Sequence, residues 1–270
     1  MKSKHISHSG LAWIVRHCTW IAVNEMPLRA ADDNSPLSNG NGTGHNANDG
    51  DIGDVCASLA ERVNAFLALD GEKLSPLLKA VQQQTRIALE VIGECLQRYR
   101  FVGVYLVDLR RRPRADLCSL EEISLSYNGG KDCLVLLILL LCALSPSHPS
   151  SSAPYHKFPL PRRLQSVYII SAHPFAEVDA FVDSSVVTYK LDLARYAMNM
   201  KEAFEVYLEE HKKVKAILVG TRRTDPHGEK LTHFDMTDKG WPSFMRVHPV
   251  IDWHYAEIWA VSCGDKYCLW

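Results

Sequence analysis

The sequence has almost no net charge, no Cys-x-x-Cys pair and no apolar run long enough to cross a bilayer, and each absence excludes a class of protein. Thirty basic residues stand against 31 acidic ones, a formal net of −1. Binding that rests on bulk positive charge is therefore not expected, and nucleic acid is not an expected partner. The eight cysteines, at 18, 56, 95, 118, 133, 142, 263 and 268, are scattered. That spacing offers neither a zinc site nor a disulfide framework and predicts reduced, buried thiols in a cytoplasmic protein. The longest apolar run, Cys133–Leu144, spans twelve residues, where a membrane helix needs about 20. It predicts a core helix and no membrane partner. Arg16 and His17 interrupt what would otherwise be a signal-peptide core, so secretion is not expected. The lack of any acidic residue before Glu25 leaves a mitochondrial presequence as the alternative address.

Residues 1–54 are predicted to be a disordered extension, because Ala31–Asp54 is rich in Asn, Gly and Asp with few large apolar side chains. Order is predicted from Val55. Apolar residues recur at helical spacing from there to Tyr99, with a break at Leu69-Asp70-Gly71 that divides two helices. Phe101–Val107 reads as a strand and Arg110–Arg114 as a solvated loop. Glu121–Tyr127 reads as a short strand leading into the apolar helix Lys131–Leu144, and Ser145–Pro161, rich in Pro and Ser, as a loop. Downstream, strands at Ser166–Ser171, Val186–Leu191, Lys215–Gly220 and Phe244–Val250 alternate with helices at Ala176–Asp183 and Lys201–His211. A further helix begins at Trp253–Trp259. Alternating strands and helices imply right-handed parallel crossovers, hence a three-layer, Rossmann-like α/β domain.

The chemistry concentrates in Ser126-Tyr127-Asn128-Gly129-Gly130-Lys131-Asp132, between a strand and a helix. Two glycines at such a junction let main-chain N–H groups line a concavity, and the helix start adds partial positive charge; both favour phosphate. Lys131 adds a full charge, and Asp132 could hold Mg²⁺ beside the phosphates. The segment is neither a Walker A loop nor Gly-x-Gly-x-x-Gly.

SYNGGKD resembles the modified pyrophosphate-binding loop, Ser-x-Gly-Gly-Lys-Asp-Ser, of the PP-loop ATP pyrophosphatase and PAPS-reductase superfamily, with Cys133 at the last position. The loop followed by LVLLIL is similar to that of eukaryotic, fungal-type FAD synthases (FMN adenylyltransferases). So are Gly220–Pro226, Phe234–Asp238, Gly240-Trp241-Pro242 and Phe244–Val250, in order and spacing. The resemblance implies an adenine nucleotide alpha hydrolase-like domain over residues 55–259 and the reaction FMN + ATP → FAD + pyrophosphate, with Mg²⁺. It implies that Ser126, Tyr127, Asn128, Gly129, Gly130, Lys131, Ile170 and Ser171 bind ATP. It further implies that Arg222, Arg223, Asp225, Asp238, Trp241 and Arg246 bind FMN, with Asn128, Asp132 and Arg246 catalytic and Asp132 the metal ligand; for Asp225 and Asp238 the flavin ring edge and the metal are both open. Read without the resemblance, Arg222–Asp225 could be a surface ion pair and Trp241 a core residue. Trp253 and Trp259 read as core, and His173, His227, His233 and His248 as non-catalytic. A monomer is expected.

Two stretches depart from the family: residues 101–118, read as an insertion, and Ala260–Trp270, read as an atypical tail. Resemblance ends sharply at both boundaries, as retained intron sequence would make it end; the transcript sequence tests this. If residues 260–270 are genuine, the flavin half of the site is incomplete, and a catalytically impaired nucleotide- or flavin-binding protein is the alternative. A PAPS-reductase-type thiol enzyme is the remaining one, although Ser262-Cys263-Gly264-Asp265 only superficially resembles the motif it needs.

Overall fold

The computed structural model describes residues 51–99, 120–145, 160–171, 173 and 175–263. The expected strand at Phe101–Val107, the basic run Arg110–Arg114 and nearly all of the N-terminal extension and the Pro/Ser-rich loop lie outside the described residues. Helix α1 spans Ile52–Leu67, and Ile52 is fully buried, so order begins before the predicted Val55. A short 3-10 turn at Gly71–Lys73 follows, held by the Asp70 side chain, which accepts from Glu72 N–H. Helix α2 spans Pro76–Tyr99. Pro76 occupies the first helical position, where its missing N–H costs nothing, and Ser75 Oγ accepts from Leu78 N–H. Gln82 donates to the carbonyls of Phe66 (2.8 Å) and Leu69 (3.2 Å), tying α2 to the end of α1 and the turn after it.

The α/β unit runs β1 (Ile123–Ser126), α3 (Lys131–Leu144), β2 (Leu164–Ile169), α4 (Ala176–Thr188), β3 (Leu191–Tyr196), α5 (Met200–Glu210) and β4 (Ala216–Leu218). A hairpin, β5 (Phe234–Met236) and β6 (Met245–Val247), and helix α6 (Tyr255–Cys263) complete it. The six strands lie in the order β3-β2-β1-β4-β6-β5, all parallel except β5, which pairs antiparallel with β6. The chain thus moves from β1 outward through β2 to β3, then returns across the sheet to β4 on the other side of β1. That reversal makes the carboxyl ends of β1 and β4 the topological switch point, where ligands of open α/β sheets bind.

Helix α5 covers one face of the sheet: Ala203, Phe204 and Tyr207 pack with Val167, Ile217 and Phe244. Helices α1, α2 and α6 each pack against α3, and α2 also packs against α6. Between them lies α3, buried from Cys133 through Cys142, which explains an apolar run with no polar face.

One predicted strand is helical in the structure, and β5 is a strand the sequence did not signal. The strand predicted at Val186–Leu191 is the last turns of α4, and β3 starts only at Leu191. Burial of Phe181, Val182 and Ser185 carries the helix through a β-branched run whose Val187 is exposed, overriding its strand propensity. Lys190, at φ 55°, then turns the chain into β3. The first residues of the stretch read as an atypical tail are helical. Helix α6 continues to Cys263, with Val261 and Ser262 buried and Ser262 Oγ donating to Ile258 O at 2.8 Å.

Candidate active site

The loop between β1 and α3 is shaped by its own side chains. Tyr127 N–H donates to Val167 O (2.9 Å), extending the sheet by one residue. The Tyr127 ring is fully buried, and its hydroxyl donates to Ser185 Oγ of α4 at 2.8 Å. The expectation that Tyr127 binds ATP is therefore corrected for the side chain, which anchors the loop to the core. Asn128 Oδ1 accepts from Gly130 N–H at 2.9 Å, an Asx turn that bends the chain toward the helix. Gly129 has φ 71°, and a Cβ there would lie 2.7 Å from Val182 Cγ2, so both backbone and packing require glycine. Gly130 is extended and sits just ahead of α3 without a side-chain cap, and Leu134 N–H donates to its carbonyl. The first-turn amides of α3, those of Lys131, Asp132 and Cys133, thus open at the switch point, where an anion is favoured.

The loop after β4 meets this turn. Arg222, only 8% exposed, carries Nε 2.9 Å from Asp132 Oδ1 and donates from Nη2 to Asp225 Oδ1 at 3.0 Å. Arg222 N–H also donates to Asp225 Oδ2 at 2.8 Å. Lys131 Nζ donates to Asp132 Oδ2 at 2.8 Å. Asp132 is therefore flanked by two cations, and the phosphate loop and the Arg222–Asp225 segment form one cluster. Despite the close approach, Arg222 Nε and Asp132 Oδ1 have no hydrogen-bond partner among the described residues. Charge holds the pair while both atoms keep an unused directional valence.

Asp225, expected at the flavin, is occupied by Arg222. Arg223, expected at FMN, braces the loop: Nε donates to Asp252 Oδ1 (2.6 Å), and Nη1 donates to the carbonyls of Glu229 (3.2 Å) and Leu231 (2.9 Å). The remaining expected flavin residues lie on the β5–β6 hairpin, with β4 between them and β1. Arg246 on β6 donates to Met236 O (3.0 Å), lies 3.6 Å from Asp238 and keeps Nε buried without a partner among the described residues. Trp241 is 40% exposed on a turn closed by its N–H to Asp238 O (3.0 Å), so its ring is not a core residue. Trp253 is core, as expected. Ile170 and Ser171 stand just past β2 on the same edge of the sheet as Ser126, with Ile170 N–H donating to Tyr196 O. Cys133, buried beside the loop, has its thiol pushed up to about 11, chiefly by burial, and stays protonated.

Sequence reasoning missed Gly228, although Pro226-His227-Gly228 is a turn signal. A Cβ there would lie 2.2 Å from Arg222 O and 3.1 Å from Asp225 O, so the loop that positions Arg222 closes directly on this residue. Gly228→Ala is expected to lower stability by about 1–3 kcal/mol, the usual cost of overpacking. Urea denaturation midpoints check this.

His248 supplies a pH dependence. It is 1% exposed, its Nδ1–H donates to Thr232 O (3.0 Å), and Asp235, Arg246 and His233 face it. Burial, the largest influence, holds its pKa below the ordinary 6.5 despite the Thr232 carbonyl and Asp235. The unfolded chain therefore takes up the proton first as pH falls. Stability contributed by neutral His248 is complete above about pH 6.5 and declines below it, with a limiting slope of about 1.4 kcal/mol per pH unit. Urea midpoints at pH 7.5 and 5.5 should differ less in His248→Asn.

Fold and site together define an open, doubly wound α/β domain with an anion-accepting loop at its switch point. The chain belongs to the phosphoadenosine phosphosulfate reductase domain family, whose model matches residues 122–213 and 200–263. The second matched segment ends with α6. The chain is 41% identical over 153 residues to a probable FAD synthase of Schizosaccharomyces pombe, covering 55% of each protein. It is 36% identical over 151 residues to the flavin adenine dinucleotide synthase of Saccharomyces cerevisiae, covering 52% of this chain and 49% of that one. The chain spans about half the length of these curated relatives. Among solved structures it is similar to Candida glabrata FMN adenylyltransferase in complex with FMN and an ATP analogue. The TM-score is 0.63 at 30% identity, covering 78% of this chain and 66% of that one. The yeast FAD synthetase in complex with FAD gives a TM-score of 0.60 at 29% identity, with coverages of 78% and 67%.

Proposed function

We propose that this chain is an FMN adenylyltransferase: an oxygen of the FMN phosphate attacks the α-phosphorus of ATP, the α–β bridging bond breaks, and pyrophosphate leaves. The observation that carries the reading is the α3 N-terminus, opened by Gly129-Gly130 and flanked by the Lys131–Asp132–Arg222 cluster. The names of the relatives support the same reaction.

The nucleophile is already an anion, so no strong base is needed. The obstacle is bringing two polyanions together, which positioning and fixed positive charge overcome. The α3 amides and Lys131 would hold the leaving pyrophosphate, and the Arg222 guanidinium, ion-paired with Asp132 through Nε, would meet phosphate oxygen beside it. Arg246 and Trp241 would serve FMN, one through its guanidinium and the other through an exposed ring face.

Mg²⁺ fits on one condition. Among the described residues no three His, Cys, Asp or Glu gather as a metal group, so phosphate oxygens and water would complete the shell around one carboxylate, the usual habit of this ion. Asp132 Oδ1 is covered by Arg222, which leaves Oδ2, shared with Lys131. When bound there, the ion would neutralise phosphate charge. The test is incubation with FMN and MgATP, following FAD by chromatography. FAD formation supports the reading, and ATP bound without FAD formed rejects it.

A further inference from the structure

The first turn of α6 lies beside the phosphate loop. His254 N–H, just ahead of the helix, donates to Glu257 Oε2 at 2.8 Å, and Glu257 is buried. This back-capping contact fixes where the helix starts, and with it Tyr255, the first helical residue. Tyr255 is 59% exposed, so burial does not explain its place. Its ring meets that of Trp259, a turn further on, in a T-shaped contact with centroids 5.8 Å apart and planes at 62°. The Lys131 ammonium stands 5.3 Å from the ring centroid, within cation–π range, while donating to Asp132 Oδ2.

We propose, on top of the adenylyl-transfer reading, that Tyr255 is a positioning residue whose ring face holds the Lys131 ammonium against Asp132, in place for the triphosphate. Lysine otherwise swings freely on four methylenes, and freedom removed before binding is not lost during it. An ammonium has three donors. Asp132 takes one and the ring face none, so two remain for phosphate oxygens. The ring acts through its π face, and its hydroxyl is dispensable.

The test is a double-mutant cycle on the full chain, with ATP affinity read by calorimetry and FAD formation followed in parallel. Tyr255→Leu should weaken ATP binding about two- to fivefold, the worth of an exposed cation–π contact. Tyr255→Phe should bind as the unmodified chain does. In a Lys131→Met background, Tyr255→Leu should change nothing further. An equal loss in both backgrounds would mean that the ring touches the nucleotide itself and would overturn the inference, as would a Tyr255→Phe variant as weak as Tyr255→Leu. ATP binding with the expected coupling but no FAD overturns the reaction and supports the positioning role. ATP binding without coupling overturns the positioning role alone, and no ATP binding overturns both.

Discussion

Asp132→Asn is expected to slow FAD formation by about 100-fold or more while leaving the fold largely intact. The substitution keeps the shape and removes the charge between Lys131 and Arg222, which lie 2.8 and 2.9 Å from the carboxylate. Without it the two cations repel, and the carboxylate available to a divalent ion is gone. Loss of one preorganised electrostatic contact in an active site costs about 10²–10³ in rate. The fold should tolerate the change because Arg222 keeps Asp225, through both its guanidinium and its main-chain N–H. Chromatographic rates and a thermal melt of the same preparation check both halves. Normal turnover would remove Asp132 from the mechanism, and a collapsed melt would make it a structural residue.

Gly129→Ala should damage both stability and ATP binding. A side chain at φ 71° costs about 1–2 kcal/mol. A Cβ 2.7 Å from Val182 Cγ2 forces a further shift in packed core. Together these come to about 2–5 kcal/mol, a fall in Tm of roughly 5–15 °C for a domain of this size. ATP affinity should fall with it, since relieving the clash moves the loop that aims the α3 amides. Adding Val182→Ala removes the clash but not the backbone strain. The double variant should therefore lose less stability than the two single losses combined, and simple additivity would show that Val182 is not the obstacle.

The parts of this molecule visible in its sequence are those whose physics is local. A helix apolar on every side must be buried, and α3 is. A pair of glycines between a short strand and a helix has few uses besides a tight, amide-lined turn, and Gly129-Gly130 makes one. The alternation of elements was enough to imply parallel crossovers and the switch point that follows. What was not visible depends on partners distant in the chain. Tyr127 stands inside the motif, yet its ring turns inward because Ser185, 58 residues on, offers a hydroxyl. Val186 and Val187 read as strand until Phe181, Val182 and Ser185 commit the whole segment to a helix against the core. Arg223 and Asp225 look interchangeable with Arg222 in the sequence, and only the folded chain shows Arg223 bonded to Asp252 and to the Glu229 and Leu231 carbonyls while Asp225 holds Arg222. The antiparallel strand β5 is three residues long and carries no periodic signal.

The central claim is that main-chain amides at the start of α3 grip the nucleotide's phosphates beside Arg222. A nitrogen-15 chemical-shift titration with ATP tests it without requiring turnover. The account predicts that the largest shifts fall on the amides of Gly129, Gly130, Lys131, Asp132 and Cys133 and on Arg222 Nε–H. Saturable shifts confined to other parts of the chain, with these six signals unmoved, would contradict it.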